Sequence, residues 1–105
     1  MRRLFGLSHT KYLPSVNAQA EYLKSHAGAR ILIAGHTDER GSREYNVALG
    51  ERRANTVADI MRMAGVGRQQ MRVVSYGKER PINLGHDAGS HAQNRRVELT
   101  YEATR

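Results

Sequence analysis

The sequence predicts an α/β sandwich, two long helices packed against a mixed β-sheet, and three observations carry that prediction. Ile31-Leu32-Ile33-Ala34 is a short apolar run rich in β-branched residues and ended by Gly35, which reads as a strand covered on both faces. The segment from Arg43 to about Ala64 repeats its apolar residues at helical spacing. Met71-Arg72-Val73-Val74-Ser75-Tyr76 is a second strand, and the long helix before it makes a crossover that sets it parallel to the first.

The remaining elements follow in chain order. Residues 1–13 form a divergent N-terminal segment without strand alternation, and residues 14–105 form one domain. Pro14-Ser15 opens a helix running to about His26, with Val16, Ala20, Leu23 and Ala27 at i, i+4, i+7 and i+11. Ser42 is placed to cap the second helix, and Glu44 in its first turn suits the positive end of the dipole. Val47, Ala54, Val57, Met61 and Ala64 are its expected buried stripe, and Gly65 ends it, with Val66 placed for the usual apolar contact. Pro81 to Gly89 is a loop rich in Gly, Asn, Asp and Pro, followed by a helical turn near Ser90-His91-Ala92-Gln93. Val97, Leu99 and Tyr101 alternate with Glu98 and Thr100, the pattern of a half-exposed last strand.

At 105 residues the chain has room for a single core. No run approaches the ~18 apolar residues that a membrane-spanning helix needs. Met1-Arg2-Arg3 before Leu4-Phe5-Gly6-Leu7 looks like the start of a signal peptide, but the apolar stretch is too short to serve as one. With no cysteine there is no disulfide, no thiolate chemistry and no lipid-accepting residue. The 17 basic residues against 10 acidic ones leave a charge of +7, which draws a domain toward anionic polymers. The basic residues are interleaved with acidic ones, as in Asp38-Glu39-Arg40 and Glu51-Arg52-Arg53, and no nucleic-acid module accompanies them, so a soluble basic surface is expected rather than a nucleic-acid site.

The chemistry concentrates in Gly35-His36-Thr37-Asp38-Glu39-Arg40-Gly41-Ser42-Arg43-Glu44-Tyr45-Asn46-Val47-Ala48-Leu49-Gly50-Glu51-Arg52-Arg53. Asp38 lies just past the carboxyl end of a strand, where α/β sheets bind ligands. Asn46, Leu49 and Arg53 are spaced i, i+3 and i+7 and share one helix face that can look back at Thr37 and Asp38. A carboxylate holds an ammonium and a guanidinium fork holds a carboxylate, so together they make a socket for a zwitterion. Two blander arrangements fit the same residues: Asp38 and Arg53 pair with each other, or Arg53 is a solvated helix residue.

This run resembles the signature of the OmpA-like peptidoglycan-binding domain, and most of all its peptidoglycan-associated lipoprotein branch. Val73-Val74-Ser75-Tyr76-Gly77-Lys78-Glu79-Arg80-Pro81, Gly85-His86-Asp87 and Asn94-Arg95-Arg96-Val97-Glu98-Leu99-Thr100-Tyr101 resemble its later motifs in the same order, so the likeness spans about residues 17–101. The resemblance implies a two-layer sandwich with both long helices on one face of the sheet. It implies that Asp38 and Arg53 clamp the diaminopimelate of a peptidoglycan stem peptide, with Thr37, Asn46, Leu49 and Gly41 completing the ligand set. It further implies no catalysis, no cofactor, a periplasmic location at the outer membrane, and tethering of an envelope structure to the wall. Its alternative implication is a protein-interaction module of the Tol system, with Gly77, Lys78 and Glu79 as contact surface. The amino terminus departs from the family, whose first strand is rich in aromatics and ends in an acidic residue. Arg2 to Tyr12 has no carboxylate, so either another segment replaces that strand or a sheet edge is uncovered, leaving a truncated remnant with a weak pocket.

Catalytic readings fare poorly. Ser75-Tyr76-Gly77-Lys78 satisfies Ser-x-x-Lys, but that nucleophile must open a helix and Ser75 ends a strand. His36 and Asp38 lack the paired helical spacing of a metal site, and Gly65-Val66-Gly67 reads as helix termination rather than a phosphate loop.

Overall fold

The computed structural model describes residues 2–5 and 9–102. The order is β1 (Arg2–Phe5), α1 (His9–Ser25), β2 (Arg30–His36), α2 (Arg43–Met63), a 3-10 turn (Arg68–Gln70), β3 (Met71–Gly77), α3 (Ala88–Asn94) and β4 (Arg96–Glu102). The four strands lie in the order β1-β4-β2-β3. β2 and β3 are parallel, as the crossover requires, and β4 is antiparallel to both β2 and β1. The sheet is therefore mixed.

One face of the sheet carries the core. Ile31 and Ile33 of β2 and Val97 and Leu99 of β4 meet Val16, Ala20 and Leu23 of α1 and Ala54, Val57, Ile60 and Met61 of α2. Residues of the other parity in β2 and β4 point away from the helices; there Leu32 is half-buried while Ala34 and His36 are buried, so both faces of β2 are covered toward its carboxyl end. The ends of the helices are closed by specific bonds. Ser42 Oγ accepts the Tyr45 amide at 3.1 Å, the N-cap bond its position suggests. At the other end Gly65 takes φ +106, its N–H reaches Arg62 O, and Val66 N–H reaches Met61 O, the two bonds of a Schellman motif. Buried Gln70 donates through Nε2 to Leu23 O, His26 O and Ala29 O, satisfying carbonyls at the end of α1 and the turn into β2.

Five expectations are corrected. Val47 is 37% exposed, because the face of α2 that meets the sheet is rotated toward Asn46, Gly50 and Arg53. Ala64 is half-buried, and Ala27 is exposed in the turn after α1 rather than on its buried stripe. α1 begins at His9 instead of Pro14, so Pro14 lies in its second turn, where it has no N–H to donate to Thr10 O. A strand does form at Arg2–Phe5, pairing Arg2 with Leu99 and Phe5 with Arg96. Edge pairing uses backbone groups, so it needs no side-chain alternation.

β2 and α2 pack closely against each other. A Cβ added to Gly35 would sit 1.8 Å from Gly50 O, and one added to Gly50 would sit 2.3 Å from Ser75 Oγ. Two glycines thus let the backbones of strand and helix touch, which sets the height of α2 above the end of β2.

Candidate functional site

That contact places the start of α2 over the carboxyl end of β2, and a hollow of about 280 Å³ opens between them. Its walls are Thr37, Asp38, Arg40, Tyr45, Asn46, Leu49, Arg53 and Arg95. The structure thus brings Thr37, Asp38, Asn46, Leu49 and Arg53 to one place. Gly41 is adjacent rather than on the wall. It takes φ +95 in the loop, and Asn46 Nδ2 bonds the carbonyls of Arg40 and Ser42 on either side of it, both at 2.8 Å. Asn46 is therefore the post around which the 38–42 loop is wrapped.

Asp38 is 6% exposed and surrounded by donors. Oδ1 accepts the Arg40 amide and Nε, each at 3.1 Å; Oδ2 accepts Arg40 Nη2 at 2.7 Å and Arg95 Nη1 at 3.0 Å. The Arg40 side chain, helped by its amide and by Arg95, holds this carboxyl well below the usual carboxylate range despite burial. Arg53, reaching up from α2, donates through Nη1 to His36 O at 3.0 Å and is 9% exposed. Three guanidinium groups against one carboxylate leave the hollow net positive, so it favours a ligand with more anionic than cationic groups.

Beneath the hollow, on the face of the sheet away from the helices, lies a second charged cluster. His36 is 1% exposed, and Nε2 stands 3.6 Å from Glu98 Oε1. Burial, reinforced by the Arg96 charge, pushes His36 down to about 4. Burial opposes ionisation of Glu98, but hydrogen bonds from Arg96, at 2.6 Å, and Arg3 keep it below its ordinary value. Arg96 also donates to Asn94 O and Arg80 O, tying β4 to the loop after β3. His36 is a strand-end residue in this cluster, and no group of three metal-ligating side chains occurs among the described residues.

The segment 77–79 packs against the same loop. Gly77, at φ +54, is buried, and its carbonyl accepts the Thr37 amide at 2.9 Å. Lys78 Nζ donates to Gly41 O at 2.6 Å, and Glu79 pairs with Arg43 at 3.2 Å. Lys78 and Glu79 therefore present a surface, whereas Gly77 shapes the turn.

Sequence reasoning missed Arg40, Tyr45 and Arg95 on the wall. Tyr45 had a usable signal, being adjacent to Asn46 at the helix start. Arg95, at the junction of α3 and β4, lies 57 residues along the chain from Asp38, and no local spacing links the two.

Comparison with known proteins agrees with this geometry. The OmpA family matches over residues 7–95. The chain is 83% identical over 96 residues to a peptidoglycan-associated lipoprotein of Legionella pneumophila, covering 91% of this chain and 54% of that protein. It is 55% identical over 85 residues to one from Pseudomonas aeruginosa, covering 81% of this chain and 50% of that one. The chain thus spans about half the length of the curated relatives it matches. A crystal structure of the peptidoglycan-associated lipoprotein from Burkholderia pseudomallei superposes with a TM-score of 0.93 at 46% identity, covering 97% of this chain and 91% of that one. With a family match over most of its length and a relative of known structure that shares its fold over 97% of the chain, the chain belongs to the OmpA family.

Proposed function

We propose that the hollow binds peptidoglycan non-covalently, gripping the free amino-acid end of a meso-diaminopimelate stem peptide and so tethering an envelope structure to the cell wall. The observation that supports this reading most directly is that buried Asp38 and buried Arg53 line the same solvent-open hollow. Among the described residues of its lining, Asp38 offers the one carboxylate, suited to an ammonium. Arg53 and Arg95 offer forks suited to carboxylates, and Leu49 and Tyr45 supply apolar walls for the methylene chain between them. Peptidoglycan is named by the relatives, and stem peptides carry the excess of carboxylates that the positive hollow favours. The site residues are assigned to binding and none to catalysis. By the same reading the domain works in the periplasm at the outer membrane.

The test is sedimentation with purified sacculi. Asp38→Ala and Arg53→Ala should each lose most of the binding while circular dichroism stays unchanged. Truncating one partner of a desolvated charge pair costs about 2 to 5 kcal/mol. Wild-type sedimentation by both variants would overturn the reading.

A second reading rests on the contacts of the 77–79 segment. Lys78 and Glu79 are tied to the pocket loop through Gly41 and Arg43, so a protein partner docking there, such as a Tol-system component, would feel the state of the pocket. Charge reversal at Glu79 that weakens partner capture and leaves sacculus binding intact would separate this role from the first.

A further inference from the structure

Asp38 already holds a cation that belongs to the chain itself. Arg40, two residues on, contacts both carboxylate oxygens through Nε at 3.1 Å and Nη2 at 2.7 Å. Yet its side chain is 63% exposed, whereas that of Arg95, on the same oxygen, is 30% exposed and comes from the junction of α3 and β4. The two arginines are thus held differently. Arg95 is enclosed by the fold, whereas Arg40 lies over the carboxylate from the solvent side, on a loop whose backbone is fixed independently by Asn46 and by its own amide bond to Asp38 Oδ1.

We propose that Arg40 is an internal stand-in for the ligand's ammonium group and so limits how strongly the hollow prefers zwitterions over anions. In the empty site its guanidinium neutralises Asp38. An incoming ammonium takes over those oxygens, and the released Arg40 turns to solvent or to a ligand carboxylate, while the loop stays in place because its backbone bonds do not involve the guanidinium. A purely anionic ligand cannot displace Arg40 and meets three guanidinium groups instead of two. Arg40 therefore opposes ammonium binding and favours anion binding, which a simple structural ion pair would not do. The inference rests on the proposed diaminopimelate reading of the site.

Calorimetric titration of the full chain and of Arg40→Ala distinguishes the possibilities, with two synthetic stem tripeptides as probes. One carries meso-diaminopimelate, and the other a residue with the same terminal carboxylate but no side-chain amine. An exposed ion pair is weak, so its removal should tighten binding of the first peptide about two- to fivefold. The second peptide should bind Arg40→Ala several-fold more weakly than wild type. Equal or weaker binding of both peptides to Arg40→Ala would overturn the proposal. Asp38→Ala run in parallel separates that failure from a failure of the site reading. If Asp38→Ala binds the diaminopimelate peptide like wild type, the reading itself is wrong; if it loses binding, only the role of Arg40 falls.

Discussion

Replacing Gly35 by alanine should damage stability and ligand binding together, because one contact governs both. The new Cβ would lie 1.8 Å from Gly50 O and 2.6 Å from Gly50 C, against 3.4 Å for ordinary van der Waals contact. Helix and strand must separate by about 1.6 Å, and neither side of the clash is a side chain that can turn away. Overpacking typically costs about 1–3 kcal/mol, and a backbone-to-backbone clash in the middle of a sheet places this variant at about 3 kcal/mol. With a urea slope of about 1.5 kcal/mol per molar, the unfolding midpoint should drop by about 2 M. α2 also carries Asn46, Leu49 and Arg53, so lifting it widens the hollow, and the folded fraction should pellet poorly with sacculi. Gly28→Ala is the control, since nothing lies within 4 Å of its added Cβ; it should stay within about 0.5 kcal/mol of wild type. A Gly35→Ala midpoint equal to that of Gly28→Ala would refute the argument that the two glycines set the height of the helix.

Three further outcomes are expected. Walls with lysine in place of meso-diaminopimelate should bind poorly, since lysine keeps the ammonium but leaves Arg53 without its carboxylate; equal affinities of the two stem peptides by calorimetry would show that Arg53 does not read that group. His36 is held at about 4, below its unfolded 6.5, so the fold favours the neutral ring. Its contribution is complete above pH 6.5 and is lost as pH falls toward 4, by about 3 kcal/mol. Urea midpoints from pH 7 to pH 4.5 should fall in wild type and fall less in His36→Gln, and parallel slopes would remove His36 as the cause. Because β1 covers the outer edge of β4, the whole chain should scatter as a monomer, whereas deleting residues 1–5 should bring concentration-dependent association; unchanged scattering on deletion would mean that the edge needs no cover.

Local signals were legible in the sequence and distant ones were not. The Ser42 cap, the Gly65 terminus and the shared face of Asn46, Leu49 and Arg53 each depend on residues within two helical turns of one another, and spacing alone reveals them. The parallel pairing of β2 and β3 was legible for a topological reason, the length of the crossover. The exposure of Val47 was not, because α2 is rotated about its axis by the Gly35–Gly50 contact, which no periodicity encodes. Arg95 joins Asp38 only after β4 has inserted between β1 and β2. Strand β1 escaped notice because edge pairing is a backbone property, and its four residues carry no pattern.

The position of β2 also bears on how the domain would carry load. Asp38 follows β2 by two residues, and β2 is an interior strand, hydrogen-bonded to β3 along one side and to β4 along the other. A pull applied to a ligand in the hollow along the axis of β2 would be shared by two ladders at once, each loaded in shear over six or seven residue pairs. An outer strand pulled the same way would have a single ladder to carry the load. Joined to an interior strand, the grip should yield by ligand slipping out before the sheet opens, leaving the domain intact to bind again.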